Sequence, residues 1–316
     1  MALWIVAHLS MGIFDMKKFL AKIALFLAIV ALVDFAMGKV FYYLQSNKAK
    51  GGTESEYYIC NGLKEDILVM GSSRAAHHYV PQLFADSLGM SCYNGGQDGN
   101  GIVMQYGRWK MISKHHLPKW IIYDIEPSFD LKVDDNTRYI DRLKPFADDR
   151  DVKRFVARLF PMERFKLLSR MYRYNYKFLE IFSDCVRPSN VNSGYKPNNE
   201  HIRAEVIGQE RELDRTTLPV LDSIKMDCLQ KLVTEAQSKG VQVVFVSSPY
   251  WKGFDDIEMS QIRAFAEENG VLFFDYADSE LRDNPDLFAD SMHLNDKGAK
   301  KFSSDLVGKL KAYLGV

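Results

Sequence analysis

The sequence predicts an α/β protein, a three-layer sandwich around a central five-stranded parallel sheet. Two observations carry this. Short runs such as 67–70, 120–125 and 241–246 are apolar almost throughout rather than alternating, as in parallel strands covered on both faces. Stretches with helical spacing separate them, and strands alternating with helices build a parallel sheet with helices on either side.

The strands are expected at 67–70, 91–93, 120–125, 241–246 and 271–275, with helices at 80–88, 102–114, 218–239 and 257–269 between them. Gly240 and Gly270 follow two of the helices, as helix-ending glycines do. Asn295 caps a last helix running to 314. Between the third strand and the 218–239 helix, residues 130–215 break the rhythm. This reads as a helical insertion, with helices at 151–159 and 162–182 and an exposed loop at 188–199, and it suits a lid or a surface for a protein partner. Its aromatic and basic residues (Arg170, Tyr172, Arg173, Tyr174, Tyr176, Lys177) would suit a sugar or polyanion. An amphipathic helix with snorkelling basic side chains is the plainer reading.

Ahead of the sheet, Lys17, Lys18 and Lys22 precede or open an apolar run, and residues 19–44 are long enough to cross a bilayer. Tyr42 and Tyr43 near its far end fit an interfacial belt. The expected organisation is a cytoplasmic amino-terminal segment (1–18), a signal anchor (19–44), a polar linker (45–57) and an extracytoplasmic domain (58–316). Met16 looks like a natural start. A cleaved signal peptide fits less well, because 35–37 is a poor small-x-small site and apolarity resumes after it. A buried soluble helix is the third reading. Asp34 is costly in lipid unless it lies toward the outer third.

Composition narrows the function. With 41 basic and 41 acidic residues in 316, the chain has no net field to steer nucleic acid. Its four cysteines form no CxxC, which argues against a metal knuckle. Disulfides and free thiols both stay open. His77-His78 and His115-His116 are adjacent pairs without a carboxylate framework, so no metal is expected.

The chemistry gathers at carboxyl ends of strands, where open parallel sheets bind ligands. Gly71-Ser72-Ser73 follows the first strand, and a serine capping the next helix is its plain reading. Asn94-Gly95-Gly96-Gln97-Asp98-Gly99-Asn100-Gly101 follows the second. Asp290-Ser291-Met292-His293 follows the last. A serine attacks an acyl carbon only when a base takes its proton, and histidine has a suitable pKa. A carboxylate must hold the other ring nitrogen. Asp290 and His293, three residues apart, supply orienter and base as one unit. The backbone N–H groups of Ser73 and Gly99 are candidates to stabilise the oxyanion.

These blocks resemble the SGNH/GDSL hydrolase superfamily over about 66–128 and 241–314. Gly71-Ser72-Ser73-Arg74 matches the first block, with Ser72 where Asp is usual, which implies Ser73 as nucleophile. Gly99 matches the oxyanion glycine of the second block, and Asp290 and His293 match the last. The third block usually supplies an Asn as oxyanion donor; here Ser128 falls near that position. An amino-terminal anchor on such a domain is similar to the exported acyl-transfer proteins of D-alanyl-lipoteichoic acid synthesis and alginate acetylation. The resemblance implies a serine esterase or O-acyltransferase that works without a cofactor on acyl groups, acetyl foremost, of a cell-envelope glycan. A non-catalytic binding or scaffold protein on the same fold is the alternative. Weaker substrate-binding candidates are Asn94, Arg74, Ser128, Tyr250 and Trp251. For Arg74 a local salt bridge with Asp98 or Glu126 is the plainer reading, while Tyr250 and Trp251 could stack a sugar or equally well anchor their loop.

Overall fold

The computed structural model of the chain describes residues 2–133, 135–187, 193–207, 220–251, 256–277 and 279–315. Helices α1 (Ala2–Asn47) and α2 (Gly51–Asn61) precede strand β1 (Ile67–Gly71), which runs into α3 (Ser73–His78) and α4 (Pro81–Leu88). Next come β2 (Cys92–Asn94), α5 (Ile102–His115) and β3 (Trp120–Asp124). The insertion holds α6 (Pro127–Asp130), a 3-10 stretch (Asp135–Phe146), α7 (Arg150–Leu159), α8 (Glu163–Lys166), a 3-10 turn (Tyr172–Tyr174), α9 (Phe178–Cys185) and α10 (Ala204–Ile207). After it run α11 (Ser223–Ser238), β4 (Gln242–Ser247), α12 (Asp256–Glu268), β5 (Leu272–Asp275) and α13 (Asp296–Leu314).

The five strands are all parallel, in the order β2-β1-β3-β4-β5. β1 therefore lies between the strand that follows it and the next one, and its carboxyl end is the switch point where such sheets bind ligands. Alternate residues enter opposite cores. Leu68, Met70, Ile121, Tyr123, Val243 and Phe245 face the core shared with α5, α11 and α12. Ile67, Val69, Ile122, Val244 and Val246 face the core shared with α4 and α13. Burial on both faces is why the strands read as continuous apolar runs.

α1 is the one described helix apolar and long enough to cross a bilayer, over Met16–Asn47, and its most apolar 18 residues have a mean hydropathy of 2.4 and none of them is buried. The expected linker at 45–57 is corrected. Residues 51–57 belong to α2, where Glu56 is fully buried against Arg108 of α5. That guanidinium donates through Nε to Glu56 Oε1 at 3.0 Å and through Nη2 to Oε2, and its Nη1 donates to the Gly95 carbonyl at 2.6 Å. A polar composition here marks a buried ion pair.

The insertion also departs from expectation. The helix read at 162–182 is broken into α8, the 3-10 turn and α9, because the chain bends at Ser169–Met171 to hydrogen-bond Asp34 of α1. Of the expected exposed loop, 188–192 lie outside the described residues. The rest is tied down: Asn94 N donates to Ser193 O at 2.8 Å, Lys196 N donates to Ala76 O at 3.0 Å, and Tyr195 is buried. The expected helix 218–239 begins at Ser223, capped by Asp222, and 218–219 lie outside the described residues. All four cysteines are free thiols.

Candidate active site

Gly71 makes the turn out of β1. Its φ is +141°, and a Cβ there would fall 2.8 Å from the Asp124 carbonyl oxygen and 2.9 Å from the Ala75 Cβ. Glycine alone fits both the conformation and the space. The turn sets Ser73 at the first position of α3, half-buried at the mouth of the sheet. Ser72 holds the N-cap position but makes no capping hydrogen bond. Its hydroxyl donates instead to Glu126 Oε2 at 3.2 Å. The first hydrogen bond within the helix runs from Ala76 N to Ser72 O, so the helix itself does not use the Ser73 amide.

The other half of the site is built by the turn before α13. Asp290 Oδ1 accepts from the backbone N–H of Met292 at 2.7 Å and of His293 at 2.9 Å. Asn295 caps α13 through Gly298 N and donates to the carbonyls of Asp286 and Phe288. Held this way, His293 Nδ1 lies 2.9 Å from Asp290 Oδ2, and its Nε2 lies 2.8 Å from Ser73 Oγ. A carboxylate facing Nδ1 fixes the proton on that nitrogen and leaves Nε2 as acceptor for the serine hydroxyl. Burial opposes ionisation of Asp290, but the imidazole and the two amides outweigh it and hold the carboxyl below its usual range.

The Gly-rich loop docks on the start of α3. Gln97 N donates to Gly71 O at 3.1 Å, and a Cβ on Gly96 would fall 2.2 Å from Ala76 N, so the backbones touch. Gly99 follows in the left-handed region, φ +68°.

Two expected substrate contacts, Arg74 and Asn94, are corrected, and the remaining three are placed. Arg74 is fully buried and committed to the protein. Its guanidinium donates to Asp124 Oδ1 (3.2 Å), the Ile125 carbonyl (3.0 Å) and the Ser248 carbonyl (3.2 Å), with Glu126 Oε2 at 3.9 Å. Two carboxyls face that one guanidinium, and burial raises both above their usual range. Asn94 is also buried; its amide donates to the carbonyls of Ala75 and Tyr79 and its oxygen accepts from Gly96 N, which shapes the loop. Trp251 is partly buried and packs edge-on against Phe288, ring centroids 5.5 Å apart. The Tyr250 ring lies 6.0 Å from the Arg74 guanidinium carbon. Ser128 is exposed, and its side chain is bonded to Glu126.

Sequence reasoning missed a buried chain behind the site. Asp124 Oδ2 accepts from Ser248 Oγ at 2.7 Å, Ser248 Oγ meets His78 Nδ1 at 2.8 Å, and His78 Nε2 accepts from the Leu294 backbone N–H at 2.9 Å. Burial is the main cause, with His293 and Arg74 adding to it, that holds the His78 pKa well below its usual value. His77 turns the other way. Its Nδ1 lies 2.7 Å from Lys196 O, its Nε2 lies 3.3 Å from Asp98 Oδ1, and its ring centroid is 5.4 Å from that of His293. The adjacent histidines thus have separate partners. Only His78 could have been suspected from sequence, as the inward residue of a short helix.

No family model matches the chain, and no curated protein is detectably similar to it. Among solved structures, a candidate acylhydrolase from Bacteroides fragilis aligns over 81% of this chain and 94% of its own, at 12% identity and a TM-score of 0.37. A gut microbial diltiazem-metabolizing enzyme aligns over 78% of this chain and 47% of its own, at 11% identity and a TM-score of 0.37.

Proposed function

We propose that the protein is a membrane-anchored serine esterase or O-acyltransferase that acts on acyl groups, acetyl foremost, of a cell-envelope glycan. The observation that carries the reading is the unbroken relay Ser73 Oγ, His293 Nε2, His293 Nδ1, Asp290 Oδ2, with contacts of 2.8 and 2.9 Å. Ser73 Oγ attacks the acyl carbon as His293 takes its proton. The resulting oxyanion is stabilised by the amides of Ser73 and Gly99. The imidazolium, held by Asp290, returns the proton to the departing sugar hydroxyl and leaves an acyl-serine. Water then releases the acid, or a second hydroxyl takes the acyl group. The anchor supports an extracytoplasmic site at the membrane.

The test is covalent trapping. A fluorophosphonate is expected to modify Ser73 Oγ, to leave Ser73→Ala unlabelled and still to label Ser72→Ala, whose lost hydroxyl bonds only Glu126 among the described residues. Adduct on Ser72, or no adduct on a folded protein, would overturn the proposal.

A further inference from the structure

We propose that the insertion between β3 and β4 is a second membrane contact, in which residues 164–182 seat their exposed apolar side chains at the outer edge of the bilayer that α1 crosses. This rests on reading α1 as a membrane span and not on the chemistry at Ser73.

Depth is the first argument. About 20 helical residues cover the ~30 Å of hydrocarbon. Counted from Phe19, where the apolar run opens, that span ends near Gly38, which puts Asp34 about 6 Å inside the far boundary. A carboxylate there needs hydrogen-bond donors, and lipid tails have none. Asp34 accepts from Ser169 Oγ at 2.5 Å, Arg170 N at 2.7 Å and Met171 N at 3.1 Å. All three donors belong to the insertion, so the bend at 169–171 lies at the depth of Asp34. The contact is close: a Cβ on Gly38 would fall 2.3 Å from Arg170 Cβ. Further up, Phe41 stacks on Tyr174 at 5.4 Å and meets Phe182 at 5.7 Å.

The surface beside that contact is exposed and apolar. Phe165 is 53% exposed, Leu168 67%, Met171 41%, Leu179 69% and Phe182 48%. They continue the exposed apolar surface of α1. Arg164, Lys166 and Arg170 are interleaved with them; the Arg164 guanidinium lies 4.4 Å from the Phe165 ring centroid, and that of Arg170 lies 4.7 Å from the Phe35 centroid. Apolar groups interleaved with basic ones match a bilayer interface, where stems lie in the apolar zone and charges reach the phosphates. The contact of this surface with α1, through Asp34, Gly38 and Phe41, favours lipid as the occupant.

The test uses the full chain in vesicles of phosphatidylethanolamine and phosphatidylglycerol. In a Cys185→Ser background, which removes the one cysteine that is not buried, single cysteines are placed by Leu168→Cys, Leu179→Cys, Leu25→Cys on α1 and Ser304→Cys on the exposed face of α13. Each is spin-labelled, and collision with oxygen is compared with collision with a water-soluble nickel chelate. The expected oxygen-to-nickel ratio at 168 and 179 is several-fold above that at 304 and approaches that at 25. A ratio at 168 and 179 equal to that at 304, with 25 still in lipid, overturns the second contact and leaves the anchor standing. A water-exposed label at 25 overturns the anchor and this proposal together. Labels at 168 and 179 shielded from both reagents mean that a protein or a second copy covers the surface, which also overturns it.

Discussion

His78 Nε2 accepts the backbone N–H of Leu294 at 2.9 Å, so the residue next to His293 is bonded to the short helix that begins with Ser73. α3 therefore carries the proposed nucleophile at one end and a clamp on the proposed base at the other. The clamp requires a neutral imidazole, which burial of His78 favours.

His78→Phe is expected to leave the Leu294 N–H and the Ser248 hydroxyl short of a partner. An unsatisfied buried group costs about 1–3 kcal/mol. If that strain falls on the placement of His293, kcat for p-nitrophenyl acetate drops about 10- to 100-fold while KM changes little. His78→Gln, which can still accept from Leu294 N, is expected to recover part of the rate. A lowered melting temperature with unchanged kcat would show that His78 is only structural.

Asp290→Asn is expected to keep the turn, because an amide oxygen can still accept from the Met292 and His293 amides. Its NH₂ would then face His293 Nδ1 and force the wrong tautomer. A comparable change in a serine protease triad costs about 10⁴-fold in kcat. A loss on the order of 10²–10³ is expected here, since the chain itself holds the pair close. His293→Ala should be at least as slow, and the double variant no slower than His293→Ala alone. A full-rate Asp290→Asn enzyme would rule out the relay as drawn.

Glu56 gives a stability test in acid. Burial opposes its charge, but the Arg108 guanidinium outweighs this and pulls its pKa from 4.5 to about 2. A carboxyl depressed in the folded state stabilises above its unfolded pKa and loses that contribution as pH falls through the folded one. The contribution, on the order of 3 kcal/mol, is therefore complete above about 4.5 and lost on the way down to about 2. Urea unfolding across that window should show a shallower loss in Glu56→Gln, from a lower starting stability, because an orphaned buried charge costs about 3–5 kcal/mol. Identical pH slopes for the two proteins would exclude the assignment.

Much of this was written locally in the chain. Strand continuity at 67–70 and 241–246 gave the buried sheet, because burial on both faces leaves no room for alternation. Ser73 and the Asp290–His293 pair were legible because the chemistry demands those residue types at the ends of strands. Asp124 and Ser248 were not, since the contacts that link them to each other and to His78 join residues 124 and 170 positions apart and neither stands out alone. Arg74 and Asn94 misled for one shared reason: polar side chains beside a candidate nucleophile look like substrate contacts, yet these are the groups that hold the turn. Residues 51–57 misled through composition, since a buried Glu56 reads as solvent-facing until Arg108 is seen beside it.

Ser73 and His293 are 220 positions apart, and this sets an order on the making of the protein. Synthesis at about 5–20 residues per second takes roughly 10–40 s to travel from the serine to the histidine. During that interval the growing chain has an alcohol with no base to activate it. On the proposed relay, any partial product that lacks the final turn and α13 has no base for Ser73, so reactivity begins only when almost the whole domain has been made and closed.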